Sequence, residues 1–124
     1  MLYLIRGWPG SGKTTLAKEL LKQGKADVHY EADMFFEGKV LGYVFDPTAL
    51  PVAQAWCLRR TKEALEAGLN VAVSNTFIKL WTLQKYIDLG FPYEIIECKG
   101  TFKNIHGVPL EKVLAMRARF EEIK

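Results

Sequence analysis

The chain has 124 residues, 49% hydrophobic and 25% charged, ordinary usage for one compact domain that excludes a disordered or collagen-like polymer. No apolar run approaches the ~20 residues that cross a bilayer, and the apolar segment Leu2–Ile5 starts directly after Met1, so neither a membrane partner nor a secretory leader is expected. The 17 Lys/Arg against 14 Asp/Glu leave a scattered charge of +3, which permits a polyanionic partner without demanding one.

Met1–Arg6 reads as a short buried strand ending at Gly7. Residues 7–12 form a glycine-rich loop, and Lys13 to about Gln23 is predicted helical, with Leu16, Leu20 and Leu21 as its apolar stripe and Gly24 placed as a C-terminal cap. Val28–Glu31 is a second short strand. An aromatic stretch from Met34 to Pro47 follows, holding Phe35, Phe36, Tyr43 and Phe45. Asp46 or Thr48 can cap the next helix, which tolerates Pro51 near its start and runs to about Ala67 before Gly68. Leu69–Ser74 is a nearly continuous apolar run, as in parallel strands covered on both faces. A helix near Lys79–Leu89 ends at Gly90, Tyr93–Cys98 is a fourth strand, Lys99–Gly107 a loop and Pro109–Ile123 a last helix. Without repeats or a linker-like shift in composition, residues 1–124 are expected to form a single domain.

Strands alternating with helices predict an α/β fold of three layers around a small parallel sheet, in the order 2-3-1-4. Ligands in such sheets bind beyond the carboxyl ends of the strands. That edge gathers Gly7–Thr14, Asp33, Ser74–Thr76 and the Lys99–Gly107 loop.

Gly7-Trp-Pro-Gly-Ser-Gly12-Lys13-Thr14 fits the Walker A pattern G-x-x-x-x-G-K-[ST] without a mismatch. Glycines such as Gly7, Gly10 and Gly12 allow backbone angles and close approaches that a side chain would block. Successive N–H groups, that of Ser11 among them, can then converge on phosphate oxygens. The helix opening at Lys13 adds its dipole and unpaired amides. Lys13 is expected to reach the β- and γ-phosphates, Thr14 to join a Mg²⁺ shell, and Thr15 to touch the α-phosphate. ATP and Mg²⁺ are the implied cofactors.

No N-K-x-D guanine motif is present, and no apolar strand ends in a plain aspartate, so GTPase and motor ATPase readings fit poorly. Phosphoryl transfer to a bound acceptor needs a base near the acceptor hydroxyl. Asp33, just past the second strand, is the candidate. Position alone leaves it equally suited to capping the turn Asp33-Met34-Phe35-Phe36.

The opening Arg6-Gly-Trp-Pro-Gly-Ser-Gly-Lys-Thr-Thr-Leu-Ala resembles that of the polynucleotide-5′-kinase-like group of P-loop kinases. Four later segments match in order. They are Glu31-Ala-Asp33-Met-Phe-Phe, Tyr43-Val-Phe-Asp46, Val73-Ser-Asn75-Thr76-Phe with Trp81 after it, and Asn104-Ile-His106-Gly-Val-Pro109 leading to Met116-Arg-Ala-Arg119-Phe-Glu121. The resemblance implies an adenylate-kinase-like core and transfer of the γ-phosphoryl group to a nucleic-acid 5′-hydroxyl, in DNA or RNA. It implies Asp33 as general base, Asn75 in the acidic or amide position after the third strand, and Arg119 with the Lys99–Gly107 loop as the lid region.

Several residues admit plainer roles. Arg117 falls within the apolar arc of the last helix and suits a salt bridge, whereas the family motif points to Arg119 for nucleotide contact. Arg59 and Arg60 suit a solvated helix face. The aromatics of the 35–45 stretch suit packing more than base stacking. Trp8, within the loop, can brush the acceptor or adenine. His29 and His106 lack zinc-ligand spacing with the cysteines. Cys57 and Cys98 are too few for a disulfide framework and suit a reducing cytoplasm. A small-molecule kinase for a nucleoside or sugar, and a nucleotide-binding module with little catalysis, share the same motifs.

Overall fold

The computed structural model describes residues 1–8, 11–32, 34 and 50–98. In chain order the elements are β1 (Leu2–Arg6), α1 (Lys13–Lys22), β2 (Val28–Tyr30), α2 (Leu50–Glu66), β3 (Val71–Asn75), α3 (Leu80–Ile87) and β4 (Tyr93–Glu97). The four strands form one sheet ordered β2-β3-β1-β4, and every pairing is parallel, as the sequence predicts. Gly10, Asp33, the stretch 35–47, the caps at Asp46 or Thr48, the 99–107 loop, the last helix and Arg119 lie outside the described residues.

Side chains alternate across a strand, and here the alternation separates two cores. Leu2, Leu4, Val71 and Val73 point to one face, where they pack with Ala53, Cys57 and Leu65 of α2 and Leu83 and Tyr86 of α3. Ile5 and Ala72 point to the other, against Ala17 and Leu20 of α1, with Tyr3 and Ile96 alongside. The result is three layers, with α1 alone on its side among the described helices.

β3 starts two residues later than the hydrophobic run suggests. Leu69 still belongs to the helix exit, its N–H donating to the Ala64 carbonyl at 3.0 Å. Asn70 is tied sideways. Its N–H donates to Asp27 Oδ2 at 2.7 Å, and its Oδ1 accepts from the chain's amino terminus at 3.0 Å. Apolar character marks burial here, and hydrogen-bond allegiance marks the strand.

The carboxyl edge is locked by Arg6, whose side chain is completely buried. Its Nε and Nη2 donate to the Phe77 carbonyl at 3.2 and 2.7 Å, and Nη1 pairs with Glu97 at 3.3 Å. Phe77 has φ 47°, a left-handed conformation that costs a residue with a Cβ about 1–2 kcal/mol. The arginine and an edge-on ring contact with Tyr86, centroids 5.5 Å apart, hold it there.

Candidate functional site

The loop between β1 and α1 is tied to the sheet edge by its own backbone. Gly7 N–H donates to the Thr76 carbonyl at 3.3 Å, and Ser11 N–H to the Trp8 carbonyl at 3.1 Å. A methyl group on Gly7 would fall onto Ser11 Oγ and lie 2.6 Å from the Cys98 carbonyl oxygen, so only glycine fits this crossing. Gly12 precedes α1 at φ 95°, and no side-chain hydrogen bond from it caps the helix. First-turn amides at a helix N-terminus beside a glycine loop suit an anion. Lys13 opens the helix, its Nζ 3.0 Å from the Trp8 carbonyl, to which it donates. Gly7, Ser11, Gly12, Lys13, Thr14 and Thr15 therefore sit together at the carboxyl edge of the sheet.

The strand registers decide what faces them. Tyr3 pairs with Ala72 and Ile5 with Ser74, while His29 pairs with Ala72. Hence His29 and Ser74 share the face covered by α1, and Glu31, two residues beyond His29, continues that row. The three polar side chains and Thr14 form a hydrogen-bonded string. Thr14 Oγ1 donates to Glu31 Oε2 at 3.1 Å, Ser74 Oγ donates to the same oxygen at 3.0 Å, and His29 Nε2 lies 2.6 Å from Ser74 Oγ. Because the serine hydroxyl has one hydrogen, given to Glu31, the histidine must supply the proton of the last bond. Burial pushes the His29 pKa below its ordinary 6.5, outweighing Glu31, which raises it; Lys18 adds to the lowering. The imidazole is thus the neutral Nε2–H form at pH 7.

Asn75 stands on the opposite face. Its Oδ1 accepts the Ala32 N–H at 2.9 Å, and its Nδ2 donates to Cys57 Sγ at 3.8 Å. Its amide fixes the backbone where β2 exits toward Asp33. Burial raises the Cys57 thiol pKa, with smaller lowering contributions from Tyr86 and Asn75.

The sequence places Ser74 at the ligand edge without assigning it a role, and it does not single out Glu31 for chemistry. Alternation assigns them a side once the strand pairing is known. Position 31 has the parity of His29, and position 74 the parity of Ala72, so both belong to the loop side. Glu31, Ser74 and Thr14 supply hard oxygen donors of the kind Mg²⁺ takes. No group of three or more His, Cys, Asp or Glu is found among the described residues. A donor set this small suits Mg²⁺, which keeps several waters and substrate phosphates in its shell. The residues present fit the ion.

The chain matches the family described as an AAA domain over residues 2–105. Among solved structures, it is similar to a chain of the Pnkp1/Rnl/Hen1 complex at TM-score 0.66 and 17% identity, over 99% of this chain and 40% of that one. It is also similar to a sugar kinase from Janibacter sp. at TM-score 0.72 and 15% identity, over 99% and 79% of the two chains. At these identities the likeness shows the fold. Human NEDD4-binding protein 2 is 31% identical over 137 residues, covering 98% of this chain, which spans 8% of that protein's length. The chain has the fold of these P-loop kinases and belongs to the AAA-domain family.

Proposed function

We propose that the chain is an ATP- and Mg²⁺-dependent kinase that moves the γ-phosphoryl group to a hydroxyl, with a nucleic-acid 5′-OH as the favoured acceptor. The observation that carries this reading is the seating of Gly7, Ser11, Gly12, Lys13, Thr14 and Thr15 at the carboxyl edge of a parallel sheet, with Thr14 hydrogen-bonded to a buried carboxylate. Loop amides and Lys13 hold the triphosphate, and Thr14 is the loop residue that would join the Mg²⁺ shell. Mg²⁺ held there would supply neutralisation of the charge on the transferring phosphoryl group. Asp33 accepts the acceptor's hydroxyl proton, the freed oxygen bonds to the γ-phosphorus, and ADP leaves. Arg119 contributes charge from the lid region. The preference for a nucleic-acid end rests on the five segments shared with polynucleotide-5′-kinase-like proteins. The likeness to a sugar kinase favours, as the second reading, a small-molecule acceptor.

Among the described residues no helix is long and apolar enough to cross a membrane. Cys57 and Cys98 are free thiols, which supports a reducing, cytoplasmic setting.

The test is transfer of label from γ-labelled ATP to 5′-hydroxyl oligonucleotides, run beside 5′-phosphorylated controls and a panel of sugars and nucleosides. Label on the 5′-hydroxyl strands alone supports the favoured acceptor, label on a small molecule supports the second reading, and label on none sinks both. Asp33→Asn is expected to cut transfer by about 10²–10⁴-fold and leave ATP affinity near that of the unaltered chain. Normal transfer by this variant removes Asp33 from the base role.

A further inference from the structure

We infer that Glu31, at the end of β2, is the acidic member of the metal site, in the place where β3 offers the uncharged Ser74. This inference rests on the nucleotide-binding part of the reading above and not on the identity of the acceptor.

Three observations lead to it. First, Glu31 Oε2 accepts the Thr14 hydroxyl hydrogen. That orientation leaves the threonine lone pairs turned away from Glu31 and available to a cation. Second, Ser74 donates to the same carboxylate oxygen and accepts the His29 Nε2–H. Ser74 therefore orients Glu31 and carries no charge of its own. Among the described residues, Glu31 Oε1 accepts no hydrogen bond from the protein.

Third, the carboxylate is buried at 7% exposure, and among the described residues no lysine or arginine pairs with it. Among the described residues the basic side chain beside it is His29, with Nε2 4.0 Å from Oε2 and its proton directed to Ser74. A buried carboxylate held by two neutral hydroxyls is costly unless a cation completes it. Its contact with the Walker threonine identifies which cation. A divalent, oxygen-seeking ion that arrives with the nucleotide's phosphates would sit against Thr14 and Glu31 together.

The experiment measures metal–nucleotide coupling without catalysis. ADP is titrated calorimetrically into the purified chain in EDTA, and again in Mg²⁺, for the unaltered chain, Glu31→Gln, and Glu31→Gln combined with Ser74→Asp. Mg²⁺ is expected to tighten ADP binding to the unaltered chain. Glu31→Gln should keep its metal-free affinity, which also certifies folding, and lose about tenfold or more of the tightening. Restoring a carboxylate through Ser74→Asp should recover most of it.

Full tightening in Glu31→Gln overturns the inference, as does an unaltered chain whose ADP affinity ignores Mg²⁺. Should Glu31→Gln fail to fold, a measurement on the unaltered chain decides. Fe²⁺ replaces Mg²⁺ beside ADP, and ascorbate with peroxide then cuts the backbone next to the metal. Cuts at both Glu31 and Thr14 support the assignment, and cuts that omit the end of β2 overturn it. Neither readout involves transfer, so failure to phosphorylate any acceptor defeats the kinase reading and leaves this one standing. Absence of ADP binding defeats both.

Discussion

The two faces of the sheet's carboxyl edge use polar residues in opposite ways. On the side of α1, His29, Ser74, Glu31 and Thr14 line up so that protons run toward one carboxylate oxygen. On the side of α2 and α3, Arg6 and Asn75 spend their donors and acceptors on backbone groups and neighbouring side chains. The first arrangement presents oxygen atoms to a ligand. The second holds turns in place. Adjacent residues of one strand, Ser74 and Asn75, fall into different categories because a strand turns its side chains over at each step.

This contrast can be broken by separating activity from stability. The largest effect is expected from Lys13→Ala, which should lower turnover by about 10²–10³-fold or more while the urea midpoint stays where it was. A large fall in the midpoint would show that the loop side is structural as well.

Arg6→Met comes next, removing a buried cation from a carbonyl and from Glu97. It should cost about 3–5 kcal/mol of stability, read by urea unfolding, and a loss under 1 kcal/mol would remove Arg6 from its locking role. Asn75→Ala should cost about 1–3 kcal/mol, because the buried Ala32 N–H loses its acceptor. If it instead weakens ADP binding at unchanged stability, the division between the faces is drawn in the wrong place.

The smallest effect is a pH dependence on the structural side. Burial holds the Cys57 thiol above its ordinary 9.0, so above that pH the unfolded chain releases a proton that the folded chain retains. Stability from this group is complete below pH 9.0 and declines as pH rises past it. Cys98 shares the direction through its own burial, so Cys57→Ala should reduce the alkaline slope of thermal unfolding without abolishing it. An unchanged slope would show that Cys57 does not feel its burial.

The topology was readable because β1 and β3 are apolar runs, each followed by a helix, and only a few parallel orders suit such alternation. The phosphate loop was readable because its glycines are required by backbone crossing, as the contact between Gly7, Ser11 and the Cys98 carbonyl shows. Glu31 was harder. It lies just past a strand of three residues, so its parity with His29 assigns a side only once the pairing of His29 with Ala72 is known. Placing Ser74 rather than Asn75 on the loop side also required the register with β1, which no local pattern contains. Met1–Arg6 reads as a buried strand, but the partners that a buried arginine needs are not legible beside Arg6. Its partners Phe77 and Glu97 lie 71 and 91 residues away. Placement by distant contacts is what the linear pattern lacks.

The Arg6–Phe77 lock joins two strands that nucleotide chemistry treats separately. Thr76 accepts the first amide of the phosphate loop, and the very next carbonyl is gripped by the arginine at the tip of the strand that carries that loop. The cradle and the exit of β3 therefore move as one joint. Damage at Phe77 would blunt the grip on a triphosphate that Phe77 never meets.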